Sequence, residues 1–148
     1  MSSPQPAVNA LTLDAEARLG PLLGADRLDA NVVQVDPGEG SEPYHYVYGR
    51  EEWLLVLAGT PTLRHPQGED DLEAGHLVCF PEGPAGARRL LNRGESVARA
   101  LLLSTTGLPA FAARRRAVRT TRGSRLSFPA TVSLLSVFVN GVAGEDRA

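Results

Sequence analysis

The sequence predicts an all-β domain, a jelly roll or small barrel with a short N-terminal helix or loop, and three observations carry that expectation. From Leu28 onward, short runs of β-forming residues alternate with Gly, Pro and Asp, the spacing of a sandwich or barrel. The boundaries hold turn formers: Asp36-Pro37-Gly38, Ala58-Gly59, Pro66-Gln67-Gly68, Ala74-Gly75 and Arg93-Gly94 each separate two apolar stretches. Residues 30–105 contain no long amphipathic helix to supply the crossovers of a parallel sheet.

The elements follow in order. Residues 1–9 are rich in Ser and Pro and predict loose chain, and Leu11 to Leu23 carries enough Leu and Ala for one short helix, which Gly20-Pro21 is expected to interrupt. Strands are expected near 31–35, 44–48, 52–58, 60–64, 70–73, 76–80, 87–92 and 97–104, and they join as hairpins. After Leu108 the character changes. Arg114, Arg115, Arg116, Arg119, Arg122 and Arg125 put six cations into twelve residues, and an apolar run follows at 131–139. Residue type leaves three forms open for this segment: a last β-hairpin, a basic helix from Ala110 to Thr120, or a poorly ordered tail.

At 148 residues and 43% hydrophobic content the chain is long enough to enclose the core of one domain. Its formal charge of −2 gives no overall attraction to nucleic acid or to an anionic membrane. That total hides a division: residues 1–95 hold 15 acids against seven arginines, and residues 96–148 hold eight arginines against two acids. A single cysteine, Cys79, excludes an internal disulfide and a thiolate zinc cluster. The first residues, MSSPQPAVNA, lack the basic and apolar regions of a secretory signal, so a cytoplasmic protein is expected. The apolar run TVSLLSVFV is shorter than the roughly 20 residues that a membrane-spanning helix needs, and no membrane partner is expected.

The informative stretches are PGEGSEPYHYVYGREEWLLVLAG, from Pro37 to Gly59, and GHLVCFPEGPAGARRLLN, from Gly75 to Asn92. Together they resemble the two motifs of the cupin superfamily, over about residues 30–105. In the first motif His45 falls on the first histidine, Val47 on the second, Glu52 on the glutamate, and Gly59 closes it. In the second, Gly75, Pro81 and Gly83 match; the family histidine falls on Arg88 if the loop Pro84 to Ala87 is two residues longer than the consensus, and Asn92 then matches. The resemblance implies a cupin jelly roll over 28–108, with 1–27 an N-terminal extension and 109–148 a basic and apolar C-terminal tail.

The resemblance also implies where a metal would sit. In cupins that bind one, three histidines and a glutamate project inward from alternating strand positions. Here His45 and Glu52 remain as the two ligands for any divalent metal (Fe, Mn, Ni or Zn), Val47 has no lone pair, and Arg88 carries a fixed positive charge. No cofactor is therefore expected. His76 replaces a missing ligand only if its side chain points inward, and His65 reads as a turn residue.

A pocket lined by His45, Val47, Glu52, Leu54, Arg88, Leu90 and Asn92 is expected between the two sheets. A carboxylate inside a barrel must be neutralised or paired, and Arg88 is the candidate partner of Glu52. The pair either braces the strands, or leaves Arg88 able to grip a carboxylate or phosphate of a small ligand. Trp53 and Phe80 are expected in the core, Cys79 is expected to behave as a small buried hydrophobe, and Glu51 is expected to face solvent. Tyr44, Tyr46 and Tyr48 alternate with His45 and Val47, so they share the opposite face, either packed in the protein or forming a dimer surface.

The function expected is small-molecule binding by a homodimeric barrel without a tightly bound metal. The alternative is an enzyme: a metal-dependent dioxygenase or isomerase with a reduced ligand set, or a metal-free isomerase or cyclase with His45 as general base and Arg88 as electrophile. A third reading is a regulatory or interaction domain using the arginine cluster. No aromatic residue is interleaved with those arginines and no nucleic-acid-binding motif accompanies them, so nucleic acid is not the expected partner.

Overall fold

A computed structural model describes residues 5–15, 17–106, 111–114 and 138–139. Among the described residues one short helix, α1 (Leu19–Leu23), precedes ten strands: β1 (Leu28–Val35), β2 (His45–Tyr48), β3 (Glu52–Ala58), β4 (Thr62–His65), β5 (Gly68–Asp71), β6 (Leu77–Phe80), β7 (Arg89–Leu91), β8 (Ala98–Thr105), β9 (Phe111–Arg114) and β10 (Phe138–Val139). All the strand pairings are antiparallel, as the turn-rich spacing requires. One sheet has the order β1-β8-β3-β6. The others are β5-β4-β7 and β10-β9-β2, and isolated bridges Gly40↔Leu91 and His45↔Arg88 join them into a second layer.

The apolar core lies between these layers. Val35, Leu54, Val56, Leu63, Leu72, Phe80, Leu90 and Ala100 form one buried cluster, with Val33, Val78 and Leu102 packed against it. Alternation along β3 explains which residues enter it: Glu52, Leu54 and Val56 are buried, whereas Trp53 is 45% exposed. In the β3–β6 register Trp53 stands opposite Cys79 and Glu52 opposite Phe80. Phe80 is therefore in the core as expected. Trp53 and Cys79 are not, because both share the outward face of the sheet. Hydrophobicity alone assigned them inward, and the period of two carried them out.

One other expectation is corrected, and one open choice is decided at 111–114. Gly20-Pro21 does not interrupt the helix but lies in its first turn, where proline's missing N–H has no intrahelical partner to lose. Asp29 Oδ1 accepts a hydrogen bond from the Gly20 backbone at 2.8 Å, which ties α1 to β1. Beyond Leu108, the basic helix from Ala110 to Thr120 does not form at 111–114. That segment is β9, paired with β2 in the register His45↔Arg114, Tyr46↔Ala113, Val47↔Ala112 and Tyr48↔Phe111. Arg115, Arg116, Arg119, Arg122 and Arg125 and residues 131–137 lie outside the described residues.

Gly59 shows why the first motif closes on glycine. Its φ is +77°, and a Cβ there would lie 2.8 Å from both Ala98 Cα and the Val97 carbonyl oxygen, against the start of β8.

Candidate functional site

The site is built where the two layers face each other. His45 and Arg88 form an antiparallel bridge in which each backbone N–H donates to the other's carbonyl, at 3.2 and 2.9 Å. Directly opposed residues of such a pair point to one face, so the imidazole and the guanidinium enter the barrel together. The longer loop of the second motif makes this possible: residues Pro84–Gly86 coil into one 3₁₀ turn, which absorbs the extra length and delivers Arg88 to the position opposite His45.

Glu52 comes from the facing sheet. Its register neighbours on β8 and β6 are Ser104 and Phe80. The Ser104 hydroxyl donates to Glu52 Oε1 at 3.0 Å, and the Arg88 guanidinium pairs with Glu52 Oε2 while its Cζ lies 4.9 Å from the centre of the Phe80 ring. Glu52 and Arg88 are both buried, 4% and 6% exposed, and the ion pair spans the two layers. Arg88 Nη1 also donates to the Gly86 carbonyl at 3.3 Å. Burial pulls the Arg88 guanidinium down to about 10; the charge of Glu42 opposes the fall and that of Arg50 adds to it. At neutral pH it remains a cation.

Above this pair lies a cavity of about 650 Å³. His45, Val47, Glu52, Leu54, Arg88 and Leu90 line it, six of the seven residues the sequence pointed to. Asn92 does not. Its amide is spent inside the fold: Nδ2 donates to the carbonyls of Val35 and Ser96, each at 2.8 Å, and Oδ1 accepts from the Gly94 N–H at 3.0 Å. Motif position predicted an inward residue there, and hydrogen bonding made it a brace between β1 and the turn before β8.

Sequence reasoning missed Arg50, Ser104, Glu42 and Asn31, which also line the cavity. Arg50 was findable, because two residues before an inward Glu52 an extended chain presents the same face. Ser104 was not, since only the β3–β8 register sets it opposite Glu52. His45 Nδ1 lies 2.8 Å from the Pro43 carbonyl, and Nε2 lies 3.8 Å from a carboxylate oxygen of Glu42 at the cavity mouth.

The remaining expectations resolve simply. His76 is exposed and its Nδ1 accepts from the Glu73 N–H at 2.8 Å, so it points away from the cavity. His65 sits on its turn with Nε2 2.8 Å from Asp70. Glu51 is exposed and accepts from the Trp53 indole at 3.2 Å. On the opposite face of β2, Tyr46 and Tyr48 meet edge to face at 5.5 Å, and the Arg64 guanidinium lies 5.2 Å from the centre of the Tyr44 ring.

The residues present do not fit a divalent metal. Among the described residues no group of three His, Cys, Asp or Glu side chains converges. Glu52, which would be a ligand, is already neutralised by a guanidinium that repels a cation, and Val47 offers no donor.

No family model matches the chain. A curated relative, a probable phosphoglycerate mutase from Klebsiella pneumoniae, is 35% identical over 126 residues, covering 79% of this chain. The chain spans 58% of that protein's length. Among solved structures, a sugar phosphate isomerase of the cupin superfamily from Silicibacter pomeroyi superposes with a TM-score of 0.62 at 28% identity, over 66% of this chain and 62% of its own. A cupin protein from Bacteroides fragilis superposes over 86% of this chain and 100% of its own, with a TM-score of 0.57 at 17% identity, a likeness of fold alone. The two activities named differ, and each belongs to its own protein.

Two antiparallel layers enclosing a side-chain-lined cavity define an all-β jelly roll of the small-barrel class. With residues of both motifs on that cavity and these structural neighbours, the chain has the fold of the cupin superfamily.

Proposed function

We propose that this cupin barrel binds a small molecule in the cavity above Glu52 and Arg88, and does so without a tightly bound divalent metal. One observation carries the reading. The positions that the motif resemblance assigns to metal ligands include a buried ion pair between the layers, Glu52 with Arg88, with a cavity of about 650 Å³ left open above it. That volume is in the range of small-molecule sites, and the lining has their usual character, apolar walls with a few converging polar groups. Val47, Leu54 and Leu90 supply the walls; His45, Arg50 and Arg88 supply the polar groups.

Elemental analysis of the purified, tag-free protein tests the metal-free part. The expected content of Fe, Mn, Ni and Zn is far below one equivalent, and removal of trace metal by a chelator leaves the melting temperature unchanged. A content near one equivalent, lost together with stability on chelation, overturns the proposal.

A further inference from the structure

The cavity's charged groups carry this reading one step further, to the chemistry of the ligand. Among the described residues four of them face it, Glu42, Arg50, Glu52 and Arg88, with the His45 imidazole beside them. The Glu42 side chain is 75% exposed, so water solvates its carboxylate at the mouth. Deeper in, two guanidiniums face one carboxylate. Arg88 takes Glu52 Oε2, and the Ser104 hydroxyl takes Oε1. Arg50 is left over: its Nη1 lies 3.9 Å from Glu52 Oε1, past hydrogen-bond range, and its Nε is buried with no hydrogen-bond partner among the described residues.

A buried N–H donor without an acceptor is uncommon and costly in a folded protein. A guanidinium is a planar fork of donors that fits two oxygens of one group. Apart from the solvated Glu42 carboxylate at the mouth, two such forks around one carboxylate leave a unit of positive charge inside walls of low dielectric, where a bound anion is favoured over a neutral group. Resting on the small-molecule reading above, we infer that the ligand carries a phosphate or carboxylate group, which Arg50 grips beside the Glu52–Arg88 pair while the rest of the molecule lies against Val33, Leu90 and Leu102. Arg50 is the residue that reads the anion; Arg88, already paired, supplies the field behind it.

Calorimetric titration of the full chain in phosphate-free buffer tests this with four probes: inorganic phosphate, acetate, glucose 6-phosphate and glucose. At millimolar concentration one or both of the anion classes bind, glucose does not, and the phosphate and acetate arms tell which oxyanion is preferred. Arg50→Gln weakens the bound anion by about tenfold or more, the loss of a charge-assisted contact. Arg50→Lys keeps the charge without the fork and falls between, which separates recognition from a folding defect. Glucose binding as tightly as glucose 6-phosphate, unweakened binding by the Gln variant, or no heat from any anion overturns the inference. The first two of these results leave small-molecule binding standing, whereas the metal-free part of the proposal stands or falls on the separate elemental analysis.

Discussion

Arg88 is a cation in a place made for a histidine, and its surroundings show what keeps it there. The guanidinium lies over the Phe80 ring and against Glu52, with one N–H on the Gly86 carbonyl. A buried pair of this kind contributes little beyond an apolar substitute, yet losing one partner strands the other charge. Arg88→Met alone is therefore expected to destabilise the fold by about 3–5 kcal/mol, and the double variant Arg88→Met with Glu52→Leu to recover most of that. Urea unfolding of the single and double variants measures the coupling; a neutral single variant rules out the pair as a structural element. The sequence offered Arg88 as the candidate partner of Glu52, because a buried carboxylate needs a counter-charge, and left open whether the two meet. The place of Arg50 was legible only in part: strand alternation from an inward Glu52 turns it inward, but it lies in the link between β2 and β3, where no motif assigns a role. Asn92 matched its motif and still left the cavity, because three backbone groups compete for its amide and win.

At the scale of elements, one side chain ties the start of α1 to β1. Asp29 accepts from the N–H groups of Gly20 and Ala30 at 2.8 and 2.9 Å and from Arg18 Nε at 2.7 Å. Burial pushes its carboxyl up, but the hydrogen bonds from Arg18, Gly20 and Ala30, with the Arg18 charge, outweigh it and hold the group below its ordinary 3.8. A lowered native value means that the carboxylate stabilises the fold above 3.8, and that this contribution fades as pH falls through the native value. Asp29→Asn is expected to cost about 1–2 kcal/mol at neutral pH, a figure reduced by the exposure of Arg18. The gap from wild type closes as the native carboxyl protonates. Unfolding measured from pH 7 down to pH 2.5 checks this, and a gap that persists in acid would assign the effect to packing. The helix itself was legible only in part: propensity placed apolar chain at 11–23, but whether Gly20-Pro21 ends or begins a helix depends on the carboxylate that caps it from β1.

The whole molecule depends on where its C-terminal part goes. β9 pairs with β2, the strand that presents His45 and Val47, and Ala112 joins the cavity lining. A chain ending at residue 108 is expected to lose roughly 2–4 kcal/mol, the worth of the ladder hydrogen bonds between β2 and β9. Thermal and urea unfolding of that shortened chain decide it, and an unchanged midpoint would show that β9 adds nothing to the barrel. The acidic first part of the sequence and the second part therefore meet in both layers, through β8 on β1 and β3 and through β9 on β2, a joining that the charge count alone did not reveal. Period-two patterning and turn residues determined the strands, and two motif spacings determined that His45, Glu52 and Arg88 share one interior, because backbone sterics and the cost of burying charge act locally. Tertiary structure decided that Trp53 and Cys79 face outward, that Ser104 meets Glu52, that Arg50 turns to the cavity and that β9 closes on β2. Each of those depends on strand register and on contacts between residues far apart in the chain, which hydrogen-bond ladders set only when the layers assemble.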